Sequence, residues 1–263
     1  MSFASATAIS HIMGDVYQGR VAAGWDIFGN ANGGYLMAIA ARAMADIAER
    51  PHPVTVTAHY LNPVQPGRVT IGTNLLKSGK RFATVQARIN SPAGPLVAVQ
   101  GTFGTLEPSS ASKRFEAGPP DVPPPEECVA VEPTDTFPPP YFAKVEVRLH
   151  PDDVPFLSDS PPEPRIRGWF RLRDNEPIDT FALLAAVDGF PPASFNANEQ
   201  PAWTPTVELT THVRAVPMSE GWLACAFTTR FITGGFLEED GEVWDSSGRL
   251  IAQSRQLALL PKG

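Results

Sequence analysis

An aspartate in the second half of the chain combines a residue type and a position that could do chemistry. Asp188 lies seven residues after Phe181 and in line with Leu184, so its carboxylate continues an apolar stripe on a predicted helix. It also stands at the C-terminus of that helix, where the helix dipole disfavours an anion by about 0.3–1 kcal/mol. A carboxylate held in such a place can act as a general base for water. On position alone, Asp188-Gly189 is equally well explained as a turn that ends the helix.

A glutamine and a threonine further along the chain could hold a water for that base. Gln256 shares strand parity with Ala252 and Ala258, on the face expected to meet the helix. A glutamine there is costly unless it is hydrogen-bonded, so it either orients a water or belongs to a buried structural network. Thr206 shares parity with the polar Thr210, but alternation is loose at the first residue of a strand, so Thr206 remains a candidate.

Donors for an anion are predicted at the start of another helix, in the first half. Asn32, Gly33 and Gly34 open that helix, and its free backbone N–H groups and dipole suit an oxyanion or a phosphate. A plain helix start after a tight turn is the alternative. His59 and His212 could also be bases, but their matching places in the two halves favour a shared structural role.

The two halves match because the chain contains an imperfect internal repeat. Three short segments recur in the same order at offsets of 144, 153 and 154 residues: 24–25 at 168–169, 54–59 at 207–212, and 96–98 at 250–252. A period of about 150 residues is the size of a domain. The repeat therefore predicts a duplicated domain, in which one half can specialise while the other supports it.

Each half is predicted to hold one buried helix and a set of strands. Residues 35–41 and 181–187 are apolar on every side, which is typical of a buried helix. The accompanying strands predict an α+β fold, a double hotdog, with two antiparallel sheets each wrapped around a central buried helix. Segment 107–140 is rich in proline, which lacks the N–H that a ladder or helix needs. We interpret it as an extended linker between an N-terminal domain at 1–106 and a C-terminal domain at 141–263.

Composition argues against several classes of function. The chain has 263 residues and a net charge of −7, whereas nucleic-acid binding demands a basic surface. No apolar run approaches the ~20 residues of a membrane span, and the first residues do not have the pattern of a signal peptide. Cys128 and Cys225 lack metal-like spacing and are expected to be unpaired thiols. We expect a cytoplasmic protein with no nucleic-acid or membrane partner and no metal or redox cofactor.

With these elements in place, the chain resembles the type II acyl-CoA thioesterases, which are tandem double hotdogs. The resemblance is carried by segments 28–34, 59–63, 185–188, 206–208 and 250–256. It implies that Asp188, Thr206 and Gln256 activate a water that hydrolyses acyl-CoA to a carboxylic acid and coenzyme A. It also implies a homo-oligomer, a dimer of double hotdogs, and substrate contacts from Asn32, Gly33 and Gly34.

Two other functions stay open beside hydrolysis. A non-catalytic acyl-CoA-binding protein would keep the fold and the cavity without turnover. A hotdog hydratase or dehydratase is less favoured, because neither half shows an Asp-His pair on a loop that enters the helix. Alignment of the repeats places Arg42, Pro53 and Thr102 opposite Asp188, Thr206 and Gln256, which predicts one working site per chain.

Overall fold

The computed structural model describes residues 1–107, 117–134, 138–154, 163–197, 203–218 and 221–260. The helices are α1 (Phe3–Ala6), α2 (Gly33–Ala48) and α3 (Ala182–Ala186). The strands of the first half are β1 (Ile9–Met13), β2 (Val16–Val21), β3 (Asp26–Ile27), β4 (Asn30–Ala31), β5 (His52–Tyr60), β6 (Gly67–Ser78), β7 (Phe82–Ser91) and β8 (Gly94–Gly104). Those of the second half are β9 (Val129–Ala130), β10 (Val145–Leu149), β11 (Arg165–Leu172), β12 (Thr206–Val213), β13 (Leu223–Thr228), β14 (Ile232–Thr233), β15 (Phe236–Trp244) and β16 (Leu250–Leu259).

The two predicted sheets are joined edge to edge into one antiparallel sheet. Its order is β1-β2-β6-β7-β8-β5-β12-β16-β15-β13-β11-β10-β9, with β14 beside β15, and β3 and β4 form a separate ribbon. The halves meet where β5 pairs with β12, which satisfies the backbone groups that two open edges would expose. Thr57 lies opposite Thr210, its own counterpart in the repeat, and their hydroxyl oxygens are 2.9 Å apart. The pseudo-twofold axis of the duplication therefore passes close to this pair.

Helix α2 is the buried centre of the first half, as its apolar sequence predicts. Asn32 caps its start, because the side-chain oxygen accepts a hydrogen bond from the Tyr35 N–H at 2.9 Å. Glu49 ends it in the left-handed conformation, with φ of 52°. The run from Leu36 to Ala41 is inaccessible or nearly so, and α2 packs on β5 to β8 and on α3. No helix in the described part of the chain is long and apolar enough to cross a membrane.

The sequence pattern predicts a helix over 178–188, and α3 is shorter than this. The carboxylate of Asp179 accepts hydrogen bonds from the N–H groups of Phe181 and Ala182, at 3.0 and 2.8 Å, and so delays the first helical turn. After Ala186 the chain turns through Val187 and leads directly into Asp188. The shortened helix places Asp188 just beyond its end, beside the start of α2.

The proline-rich segment 107–140 is only partly an extended linker. The expectation that it forms neither helix nor ladder is wrong in its later part, where Pro125–Glu127 is a 3₁₀-helix and β9 pairs with β10. Trp169 donates its indole N–H to the Pro123 carbonyl at 2.8 Å. Proline at a helix start loses no hydrogen bond, and β10 offers a free edge to pair with. The segment lies partly outside the described residues, and the domain division stays a prediction.

Candidate functional site

A cavity of about 220 Å³ opens where the start of α2 meets the end of α3. Asp188, Thr206 and Gln256 all line it, as do Asn32 and Gly33. The contact between α2 and α3 brings Asn32 and Gly33 to Asp188, and Thr206 and Gln256 reach the cavity from the paired strands β12 and β16. The rest of the lining is largely apolar and includes Phe28, Phe142, Phe190, Phe195, Trp203 and Phe227. Such a cavity can accept an apolar group and hold a few polar atoms in fixed positions.

Asp188 is held by the start of α2, across the boundary between the two halves. Its Oδ2 accepts hydrogen bonds from the Asn32 side-chain amide at 2.9 Å and from the Gly34 N–H at 2.8 Å, and Gly33 adds a further backbone N–H. Asn32 also donates to the Asp188 carbonyl at 2.8 Å. The N-terminus of α2 therefore binds the protein's own carboxylate, whereas the sequence predicts a substrate oxyanion or phosphate there.

Burial and these contacts together give Asp188 a pKa suited to proton transfer near neutral pH. Burial disfavours the charged carboxylate and raises its pKa to about 6, against the opposing hydrogen bonds from Gly34, Gly33 and Asn32. A base with such a pKa is largely ionised at pH 7 yet still accepts a proton readily. The predicted acid on an apolar stripe is therefore a buried group with a specific set of donors.

Gly33 and Gly34 are required by the close approach of α2 and α3. A Cβ on Gly34 would lie 2.2 Å from the Leu184 carbonyl oxygen and 3.0 Å from the Asp188 Cβ. A Cβ on Gly33 would lie 2.7 Å from the Tyr60 hydroxyl oxygen. The pair of glycines thus permits the helix contact that brings backbone N–H groups to Asp188.

Thr206 and Gln256 contact each other on the opposite wall of the cavity. Gln256 is 8% exposed and shares its face with the buried Ala252 and Ala258, as strand parity predicts. Thr206 faces the cavity because the register shifts between Thr206 and Glu208, a bulge that reverses the simple alternation. The Thr206 hydroxyl donates to Gln256 Oε1 at 3.4 Å. This hydrogen bond uses the Gln256 side-chain oxygen and leaves its amide N–H groups for other partners.

Two residues of the site are absent from the sequence-based predictions. Glu239 is buried in the cavity wall, and the Tyr60 hydroxyl is buried against Gly33 without a hydrogen-bond partner among the described residues. The sequence pattern predicts a strand at 242–245, whereas β15 begins at Phe236 and so includes Glu239. Parity with the buried Leu237 and Val243 would have placed Glu239 on the inner face.

The histidines lie outside the cavity. His59 and His212 are both exposed, on the outer face of the joined strands β5 and β12. His59 lies opposite Glu208 in the ladder, and His212 lies opposite Thr55. Neither histidine lines the cavity with Asp188, and the shared structural role predicted for the pair remains a prediction.

Comparison with known proteins agrees with this fold. Residues 21–104 match the model of the acyl-CoA thioesterase N-terminal domain, and residues 125–260 match that of the acyl-CoA thioesterase C-terminal domain. The uncharacterized protein Rv0499 of Mycobacterium tuberculosis is 30% identical over 275 residues, which cover 94% of this chain and 91% of that protein.

Solved structures show the same architecture over the whole chain. A proposed thioesterase II from Thermobifida fusca is 33% identical, with a TM-score of 0.90 and coverage of 99% of this chain and 97% of that one. A hot dog protein of unknown function from Alicyclobacillus acidocaldarius is 24% identical, with a TM-score of 0.87 and coverage of 99% and 98%. The predicted double hotdog is confirmed. With both of its halves matched in order, the chain belongs to the acyl-CoA thioesterase family.

Proposed function

We propose that the protein hydrolyses an acyl-CoA thioester to a free carboxylic acid and coenzyme A. The observation that carries the proposal is the Asp188 carboxylate, which is held by the start of α2 and has a pKa of about 6. It lines the same cavity as Thr206 and Gln256, so a water between them would meet a base, a hydroxyl and an amide. Family membership supports the same reaction type.

In the proposed reaction, Asp188 accepts a proton as the water oxygen attacks the thioester carbonyl carbon. The carbonyl π electrons move to oxygen and give a tetrahedral oxyanion. When they return, the C–S bond breaks, the sulfur keeps the bonding pair as the thiolate of coenzyme A, and a proton from Asp188 or solvent neutralises it. Thr206 and Gln256 orient the water by hydrogen bonds, which converts proximity into rate.

The start of α2 acts on the base in this mechanism. The three donors from Asn32, Gly33 and Gly34 oppose the effect of burial and keep Asp188 ionised enough to work. The aromatic and proline residues of the cavity would receive the acyl chain, since they present apolar surface on several sides. Direct contact between Asn32, Gly33 or Gly34 and the substrate remains a prediction, as do the oligomeric state and the cellular compartment.

The test is Asp188→Asn in a thiol-release assay over a panel of acyl-CoAs of different chain length and polarity. The substitution removes the base and keeps the side-chain volume, so turnover should fall by about 10²–10⁴ while the protein remains folded. Asp152→Asn is the matched control, because the Asp152 side chain is 81% exposed and lies outside the cavity lining. Turnover of Asp188→Asn equal to that of the native chain would contradict the assignment.

The non-catalytic alternative predicts a different pair of results. A binding protein would retain acyl-CoA without release of the thiol, in the native chain and in Asp188→Asn alike. Equilibrium binding measured beside the thiol assay distinguishes the two functions. A hydratase would instead convert an enoyl-CoA without release of the thiol.

A further inference from the structure

A second carboxyl group lines the cavity that contains Asp188. Glu239 lies on β15, directly opposite Gln256 on β16, and it is 9% exposed. Its Oε2 accepts a hydrogen bond from the Ala193 N–H at 2.6 Å. Its Oε1 has no hydrogen-bond partner among the residues that the structure describes. The mechanism above does not use this group.

The surroundings of Glu239 favour the neutral acid over the carboxylate. Phe190 and Phe227 line the same cavity with ring centroids 5.0 Å apart, and the described lining contains no lysine, arginine or histidine. Asp188 is the other charged residue of the described lining, and it repels a second negative charge on Glu239. Burial, followed by Asp188, raises the pKa of Glu239 to about 8, against the hydrogen bond from Ala193.

Glu238 and Asp240, the acidic neighbours of Glu239 on β15, also raise the pKa of Glu239, from the other face of the strand. Asp240 is bound there by Arg230 and Arg255, and Glu238 accepts hydrogen bonds from the N–H groups of Arg230 and Phe231. These cations are therefore engaged away from the cavity. From β16 the group that meets Glu239 is the uncharged Gln256, and from the loop after α3 it is the Ala193 N–H.

The position of the proton follows from the hydrogen bond that Glu239 accepts. Because Oε2 receives the Ala193 N–H, the neutral acid carries its proton on Oε1, which is the unpartnered oxygen. Glu239 then offers an O–H donor beside Gln256. A carboxylic acid kept neutral by an apolar site is an effective donor to a developing oxyanion.

The proposed reaction needs such a donor. In many acyl-transfer sites, backbone N–H groups stabilise the oxyanion, but here those of Gly33 and Gly34 are used by Asp188. We propose that Glu239 is a further catalytic residue, which in its protonated form donates a hydrogen bond from Oε1 to the thioester carbonyl oxygen as that oxygen becomes an oxyanion. The proton stays on Glu239 throughout, so the atom balance of the hydrolysis is unchanged. This inference rests on the proposed function of the cavity.

Two substitutions separate a donor from a merely structural acid. Glu239→Gln keeps an acceptor for the Ala193 N–H and an N–H donor toward the cavity, so its kcat should stay within about fivefold of the native value. Glu239→Met has similar size and no donor, and its kcat should fall by about 10²-fold, the effect of removing one oxyanion donor. Thermal unfolding of both variants reports whether each is folded.

The pH dependence of activity distinguishes a catalytic role of Glu239 from a structural one. Native activity should decline as pH rises through about 8, because Glu239 then loses its proton and its donor. In Glu239→Gln this alkaline decline should disappear, while the acidic limb set by Asp188 remains. A folded Glu239→Met with native kcat, or an alkaline limb that persists unchanged in Glu239→Gln, would overturn the inference.

A binding measurement separates failure of this inference from failure of the proposed hydrolysis. One acyl-CoA analogue replaces the sulfur with CH₂ and keeps the carbonyl, and a second is a thioether without the carbonyl. The native chain should prefer the first, and Glu239→Met should lose that preference while Glu239→Gln keeps it. Equal binding of the two analogues by the native chain would overturn the role of Glu239 whatever the hydrolysis assay gives. If the preference holds and no thiol is released from any acyl-CoA, only the hydrolysis fails.

Discussion

The two ends of the contact between α2 and α3 have the same layout, but one holds a carboxylate with neutral donors and the other holds an ion pair. At one end, Asn32 caps α2 and donates to Asp188 from the end of α3. At the other end, Asp179 accepts hydrogen bonds from the N–H groups at the start of α3, and Arg42 of α2 donates to it at 3.0 Å. Cap and partner are an amide and a carboxylate in the first case, and a carboxylate and a guanidinium in the second.

This difference separates a reactive group from a structural one. Arg42 is neutralised by Asp179, donates to the Thr7 hydroxyl at 2.7 Å and covers the Phe181 ring at 4.6 Å, so its charge is fully used. Among the residues that the structure describes, Asp188 meets neutral donors only, so its charge can act on a molecule that enters the cavity. One end of the contact between α2 and α3 therefore holds a buried negative charge that has no positive partner among the described residues.

The strands repeat the same contrast. Register places Gly101 opposite Val56 and Gln256 opposite Leu209, so the counterpart of Gln256 is Gly101. The prediction of Thr102 is wrong by one residue, because the offset of the repeat reaches 155 at this point of the ladder. Pro53 does occupy the place of Thr206, and both strands carry a bulge just after it. The matching inner positions of the first half, Pro53 and Gly101, therefore carry neither a hydroxyl nor an amide side chain.

We expect the largest effect on turnover from Gly34→Ala. The new Cβ would lie 2.2 Å from the Leu184 carbonyl oxygen, so α2 and α3 must move apart. Overpacking of this kind costs about 1–3 kcal/mol of stability, and Asp188 loses the N–H that holds it, so turnover should fall at least as far as in Asp188→Asn. Gly67→Ala is the control, since a Cβ there meets nothing within 4 Å. Native turnover in Gly34→Ala would show that the close contact is not needed.

A smaller effect, on the acidic limb of the activity profile, is expected from Asn32→Ser. Serine still caps α2 through its oxygen, but it removes the amide that lowers the Asp188 pKa. Since that pKa is about 6 in the native chain, activity should decline below pH 6, and in the variant the decline should begin at a higher pH. Asn62→Ser is the control, because Asn62 lines the cavity but binds the Pro95 carbonyl. An acidic limb that does not move would remove Asn32 from the control of the base.

We expect the smallest effect on turnover from Arg42→Met, at the end of the helix contact where Arg42 binds Asp179. Loss of the ion pair and of the cation–π contact with Phe181 should lower the free energy of unfolding by about 2 kcal/mol, measured by chemical denaturation. Turnover should stay within about threefold of native, and calorimetry with the carbonyl-containing analogue should give one site per chain. Arg68→Met, at an exposed position, should change neither quantity. Two equivalent sites, or activity lost with Arg42, would break the asymmetry.

Local sequence patterns predicted the framework well. The all-apolar runs marked α2 and α3 as buried, and strand parity placed Gln256 on the inner face with Ala252. The acid on the apolar stripe marked Asp188 as unusual. These inferences succeed because helix and strand periodicity are set by the nearest residues along the chain.

The sequence by itself thus determined a duplicated domain, a double hotdog, with a buried acid. The tertiary structure decided what that acid can do. The bulge that turns Thr206 inward, the use of the α2 N–H groups by Asp188, and the burial of Glu239 all depend on residues more than 40 positions away. Pairing with β10 likewise makes a strand of residues 129–130, although they lie in the proline-rich segment that was expected to form no ladder. Periodicity fixes which face of an element a side chain occupies, but only packing between elements fixes which donors, charges and cavities that face meets.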